Sequence, residues 1–194
     1  MNRIAPLKLL MLFVVGAVGG LIGDAGHVQS GTTVYLDTAG IPFIWESPVT
    51  FPIMVGVATV LLAELRLRIA PARDVGEWTD GVGAVGVVIG IYAVTALVRD
   101  EPLLPSSVIV FMLAAIAWHV SGDGRAATIC GLVAASVGTV AEIILVQVGF
   151  FRYAPEIDLL FGVPPWLPAL YFAFGVVAAR LGELCVAPPK GATA

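Results

Sequence analysis

Residues 126–150 read AATICGLVAASVGTVAEIILVQVGF, a run of twenty-five positions in which Glu142 alone carries a charge. About 20 apolar residues wound as a helix cross the hydrocarbon core of a bilayer, so this run is long enough to span. It also contains a polar exception at Glu142, with Gln147 five residues on. Working outward, five further apolar stretches of similar kind appear at Leu9–Gly23, Pro48–Ala63, Gly81–Val98, Leu103–Val120 and Leu159–Ala179. In lipid no water is present to satisfy a backbone amide, so each span has to bond its own backbone as an α-helix. The expected fold is all-α and polytopic, with six transmembrane helices over roughly 7–23, 48–66, 77–98, 103–121, 125–151 and 165–185.

Composition agrees with that reading. Mean hydropathy is +0.98. Charged residues make up 12% of the 194 positions, about half the share usual in a soluble domain. With six spans almost nothing remains for an extramembrane domain, and one membrane domain is expected over 1–194. The net charge of −4 is thinly spread and points to no nucleic-acid partner. Cys130 and Cys185 both fall in spans, where a thiol reads as a small packing residue rather than a disulfide partner or metal ligand. Orientation follows from the cations. With the N-terminus inside, Arg3, Lys8, Arg66, Arg68, Arg73, Arg125, Arg180 and Lys190 are cytoplasmic, and only Arg99 and Arg152 face outward. Both termini are therefore expected inside, with outer connections at 24–47, 99–102 and 151–158.

Local signals refine the spans. Pro48 and Pro52 open the second helix, Pro102 and Pro105 the fourth, and Pro164, Pro165 and Pro168 the sixth, where a missing N–H costs least. Tyr35 and Trp45 suit the headgroup belt, and Ile41–Trp45 reads as a short interfacial segment. Gly16 and Gly20, Gly86 and Gly90, and Ala178 and Gly182 form small-residue pairs four apart, read as ordinary helix packing. Arg66, Arg68 and Arg73 around Pro71 read as a topology signal, with contact to anionic headgroups as the alternative.

The order of several short motifs resembles the Insig (insulin-induced gene) family. They are Gly149-Phe150-Phe151-Arg152-Tyr153 followed by Pro155, Trp166-Leu167-Pro168, Glu77-Trp78, Val88-Ile89-Gly90-Ile91, Leu113-Ala114-Ala115 with Trp118, and Arg180-Leu181. The resemblance covers about Ile44 to Leu184. It implies a six-helix membrane protein that, in animals, resides in the endoplasmic reticulum, binds oxysterols and retains SCAP and HMG-CoA reductase. It also implies an uncleaved first helix, although Arg3, Lys8 and Leu9–Gly23 alone fit a signal peptide as well. Departures are specific. The aspartate that the family carries after the fourth helix aligns with Ser121, with Asp123 two residues on, and its tryptophan pair is reduced to Ala117-Trp118. The family's sterol-proximal glutamine falls at Leu104 and its nearby aromatic at Val88. Short loops and an Ala/Gly/Val-rich composition point to a bacterial relative in the inner membrane.

Candidate function rests on Glu142. A charge at the bilayer centre costs about 2.5–3.5 kcal/mol on insertion scales, so it should face a cavity or a neighbouring helix. The reading is a lipid binder of sensor type rather than an enzyme. A sterol or diacylglycerol-like lipid would be held between helices, its hydroxyl anchored by Glu142 and Gln147. Phe51, Val88, Leu104, Val108 and Phe111 are the expected walls, and Gly138 makes room beside the fifth helix. Plain packing is the bland alternative for each. The expected partners are a membrane lipid, other membrane proteins and further copies of the chain; no cofactor beyond the lipid is expected. His27 and His119 lie toward opposite membrane faces, and no metal or catalytic residues are assigned. Asp24 and Asp37 read as loop acids. The competing function is a small proton-coupled transporter with Glu142 as relay.

Overall fold

The computed structural model describes residues 3–36, 40–73, 76–121 and 124–186. Asp37, Asp123 and Lys190 lie outside the described residues. Six helices carry the chain: α1 (Pro6–Gln29), α2 (Thr50–Ile69), α3 (Trp78–Leu97), α4 (Leu103–Val120), α5 (Arg125–Gln147) and α6 (Leu167–Val186). All six are long and apolar enough to cross a membrane. At a rise of about 1.5 Å per residue they match a hydrocarbon core of about 30 Å.

Their ends have local causes. A proline opens α1, where its missing N–H has no partner to lose. Glu77 and Asp80 form a reciprocal capping box at the start of α3, in which the Glu77 N–H donates to the Asp80 carboxylate at 2.9 Å. Ala70 is extended at the end of α2 because Pro71 follows it and excludes the helical conformation. The Arg66 guanidinium then donates to the carbonyls of Ala70 at 2.9 Å and Pro71 at 3.2 Å.

The first helix does not stop at Gly23. It runs to Gln29 and carries Asp24 and His27 on its buried face, in line with Gly16, Gly20 and Gly23. Asp24 is thus a buried intramembrane acid and not a loop residue. The connections also contain short strands: β1 (Thr33–Tyr35), β2 (Phe43–Ile44), β3 (Ser47–Pro48) and β4 (Phe151–Tyr153). β1 pairs antiparallel with β4, placing Thr33 opposite Tyr153 and Tyr35 opposite Phe151. β2 and β3 form a small hairpin around a tight turn that holds Trp45 at positive φ. The aromatic run after the fifth helix is therefore a strand, and it clasps the end of α1 to the α5–α6 connection. We call this the strand end of the bundle and the opposite one the arginine end.

The α6 helix is the hub. Fourteen of its residues are buried against four in α4. Close approach to α2 depends on Gly182, where an added Cβ would sit 2.8 Å from the Ala63 Cα. Of the small-residue pairs, Gly16 and Gly20 do meet α2, at Thr59 and Val55. Gly86 and Gly90 differ: a Cβ at either would meet nothing within 4 Å, so they face outward and pack no helix of this chain. The two cysteines are buried and free.

Candidate functional site

The α2 and α5 helices meet near Leu62, Cys130 and Ala134, which share a buried cluster with Ala178 and Ala179 of α6. Between the two helices lies a cavity of about 340 Å³, backed by α1, α3 and α6. That volume is within the range of small-molecule sites, about 300–1,000 Å³. The walls are apolar along most of their length: Met54, Val55 and Leu62 from α2, Val137 and Ala141 from α5, Phe174 from α6. Leu61 and Val137 line it and are still 62% and 65% exposed on the outer surface of the bundle. The cavity therefore opens sideways between α2 and α5, toward the space that lipid fills around a spanning bundle.

Apart from Thr59, whose hydroxyl donates to the Val55 carbonyl of its own helix at 2.8 Å, the polar lining lies at the strand end. There Asp24 of α1 and Glu142 of α5 are both buried and both line the cavity. Glu142 accepts a hydroxyl on each oxygen, from Tyr153 of β4 and Tyr171 of α6. Asp24 accepts from Tyr35 of β1 at 2.8 Å and from Ser47 of β3, both at Oδ2. The β1–β4 pairing is what brings Tyr35 and Tyr153 to adjacent positions over the bundle. Burial, then the nearby Asp24 charge, pushes the Tyr35 phenol far above its usual value. Burial and then Glu142 do the same to Tyr153. Both phenols stay protonated and serve as donors. His27, one turn beyond Asp24, packs between Tyr92 and Trp166, its Nε2 2.8 Å from the Thr95 hydroxyl. No Lys or Arg lines the cavity among the described residues.

Of the residues expected at the site, Phe51, Val88, Gly138 and Glu142 line this cavity. Gly138 makes room chiefly for a side chain: a Cβ there would lie 2.6 Å from the Tyr171 ring, which reaches past it to Glu142. Leu104, Val108 and Phe111 lie elsewhere, 77%, 49% and 52% exposed on α4, whose buried face carries Ser106, Val110, Ala114 and Ala117. Gln147 also lies outside, and its Nε2 donates to the Phe161 carbonyl at 3.1 Å. Residues that sequence reasoning missed are Asp24, His27, Tyr92 and Tyr171, together with the roles of Tyr35, Ser47 and Tyr153. The spacing of Gly16, Gly20, Gly23, Asp24 and His27 already held the signal, because it continues one helical face past Gly23.

No protein-family model matches the chain. It is 52% identical over 185 residues to an INSIG protein homolog of Mycolicibacterium vanbaalenii, covering 95% of this chain and 90% of that protein. It is 25% identical over 182 residues to insulin-induced gene 2 protein of Gallus gallus, covering 91% and 80%. The crystal structure of the mycobacterial Insig homolog MvINS superposes with a TM-score of 0.91 at 52% identity, over 95% of this chain and 96% of the other. A cross-linked MvINS trimer superposes equally, at 51% identity. The resemblance seen in the motifs thus extends along nearly the whole chain and into three dimensions: this six-helix membrane protein belongs to the Insig family.

Proposed function

We propose that this chain is a lipid-binding membrane protein of sensor type, holding one sterol or diacylglycerol-like lipid in the cavity between α2 and α5. The observation that carries the proposal is the pairing of an apolar cavity, open sideways, with two carboxylates gathered at one end. Rings or acyl chains fit apolar walls, and the polar end fixes a hydroxyl. Phe51, Val88, Gly138 and Glu142 belong to that site, together with Asp24. The lipid acts by occupancy. Filling the cavity sets the spacing of α2 and α5 and thereby which helix faces are offered to other membrane proteins, provided the two states bind it with different affinity. The chain performs no catalysis on the lipid in this reading.

The arginine end, with Arg66, Arg73, Arg125 and Arg180, belongs in the cytoplasm under the positive-inside rule, and the membrane is a bacterial inner membrane. By analogy with the cross-linked trimer of MvINS, the chain assembles with copies of itself. The test is native mass spectrometry of the protein purified in mild detergent. One lipid per chain should survive delipidation, and its occupancy should fall on Gly138→Leu, which crowds Tyr171 and the cavity behind it. A protein that takes up neither a sterol nor a diacylglycerol overturns the reading, and proton-coupled flux in liposomes that is lost in Glu142→Gln would replace it with a transporter.

A further inference from the structure

The strand end of the cavity carries negative charge that nothing in the described lining offsets. Each of its two acids takes two hydroxyl protons, Asp24 from Tyr35 and Ser47, Glu142 from Tyr153 and Tyr171. That pattern suits the ionised form, which only accepts and offers about four lone-pair positions per carboxylate. No described group donates to Oδ1 of Asp24. Neither Lys nor Arg is in the described lining, and the imidazole of His27 is already engaged. The Thr95 hydroxyl donates to the Tyr92 carbonyl at 2.7 Å, so the proton in the 2.8 Å contact with His27 comes from Nε2. The neutral ring has that one proton to give. Hydroxyl donors ease the burial of a carboxylate but leave its charge whole, and an uncompensated charge in an apolar site is costly.

Two further hydroxyls line the same space without a partner among the described residues. Thr33 is 4% exposed and its Oγ1 makes no hydrogen bond; the Tyr92 hydroxyl makes none either. Both can accept an N–H. The rings of Tyr35, Tyr92, Phe151, Tyr153 and Tyr171 also line this end, and the face of an aromatic ring attracts a cation within about 6 Å of its centre. From the unoffset charge, the free acceptors and the rings together, we infer that the cavity takes a second class of ligand, lipophilic amines. The ammonium group lies beside Asp24 and Glu142, and the apolar body runs along α2 and α5 toward Leu62 and Ala134. Its N–H groups make charge-assisted bonds, roughly twice as strong as those of a neutral donor. The sideways opening lets the chain draw such amines from the surrounding bilayer, a function separate from holding a neutral lipid. A metal ion fits less well. Among the described residues no three His, Cys, Asp or Glu side chains gather to hold one, and it would leave the apolar walls unfilled. The inference uses the cavity of the lipid-binding reading but not the identity of that lipid.

The experiment offers the delipidated full chain, in detergent at neutral pH, equal concentrations of dodecylamine, dodecanol and dodecanoate. These share one apolar chain and differ in the charge of the head: positive, neutral and negative. Dioleoylglycerol is offered separately, and native mass spectrometry counts the ligand bound per chain. Dodecylamine should exceed dodecanol by about tenfold and dodecanoate by more. Asp24→Asn and Glu142→Gln each remove one negative charge. Each should lower the amine-to-alcohol ratio by about threefold or more, while bound dodecanol reports that the cavity is intact. Asp100→Asn, at the same end but on the exposed α3–α4 connection, should leave the ratio unchanged. An amine bound no better than dodecanol, or a preference that survives both acid substitutions, overturns the inference. Displacement of the amine by sodium chloride but not by N-methylglucamine chloride also overturns it, because the charge then belongs to a metal-ion site. In each case dioleoylglycerol that still binds leaves the lipid-binding reading standing. A chain that prefers the amine and takes up no dioleoylglycerol keeps the amine site and loses diacylglycerol as the lipid.

Discussion

The two ends of the bundle each bury carboxylates, and they treat them in opposite ways. At the arginine end Glu183 of α6 is 1% exposed and surrounded by cations. Arg66 donates to it, Arg73 reaches it from Nε at 3.0 Å and Nη2 at 3.2 Å, and the Arg73 backbone N–H adds a bond at 3.1 Å. That acid is neutralised by its own chain, and its neighbourhood is packed shut where Gly182 meets Ala63. At the strand end Asp24 and Glu142 receive hydroxyls alone and border a cavity. Buried charges in a membrane protein sort by the partners they keep. A carboxylate paired with guanidinium holds helices in place, whereas one held only by neutral donors keeps part of its field for a ligand.

The largest expected effect comes from breaking the closed end. Glu183→Ala leaves Arg66 buried with no counter-charge, and removing one partner of a buried ion pair costs about 3–5 kcal/mol. Thermal unfolding in detergent should show a large fall in Tm. Replacing both partners, Arg66→Met with Glu183→Leu, should recover most of it, because the penalty belongs to the orphaned charge. Glu142→Gln should cost less, about 1–2 kcal/mol, since an amide still accepts one tyrosine hydroxyl. If Glu142→Gln proves the more destabilising of the two, the contrast between a clamp and a site collapses.

Packing gives the next test. Gly182→Ala places a methyl 2.8 Å from Ala63 at the closed end and should cost about 1–3 kcal/mol by overpacking. Gly90→Ala meets nothing within 4 Å, and removing a helix-interior glycine should stabilise by about 0.5–1 kcal/mol. Opposite signs in one unfolding assay would sharpen the distinction between the glycines that seat helices and those on the outer surface.

These contrasts show what the sequence made legible. Six spans were visible because charge is so nearly excluded from them, and five helices begin and end within about four residues of the expected limits. The exception is α1, where two polar residues, Asp24 and His27, looked like the end of a membrane segment. The helix continues because β1 and β3 bring Tyr35 and Ser47 back to bond Asp24. That is a contact across the chain which no local window contains. Glu142 could be found as a lone intramembrane acid, but its partners could not. Tyr153 and Tyr171 lie 11 and 29 residues away and reach it only after the β4 strand and α6 have docked. The arginine clamp was likewise hidden, since Arg66 and Glu183 are separated by 117 residues.

The smallest predicted effect is the most pointed check on the site. Val108 and Phe111 were natural choices for a cavity wall, being large and apolar on a helix beside the expected pocket. Helix period decides otherwise. The buried face of α4 is set by Ser106, Val110, Ala114 and Ala117, and Val108 and Phe111 fall between those positions. Val108→Ala should therefore change stability by no more than about 0.5 kcal/mol and leave lipid occupancy as it is in the wild type. Phe51→Ala, in the cavity lining at the strand end, should lower occupancy under the same conditions. If Val108→Ala removes the lipid and Phe51→Ala does not, the ligand lies against α4 rather than between α2 and α5. The two carboxylates would then be a structural network with a cavity beside it, and the two ends of the molecule would differ in chemistry but not in purpose.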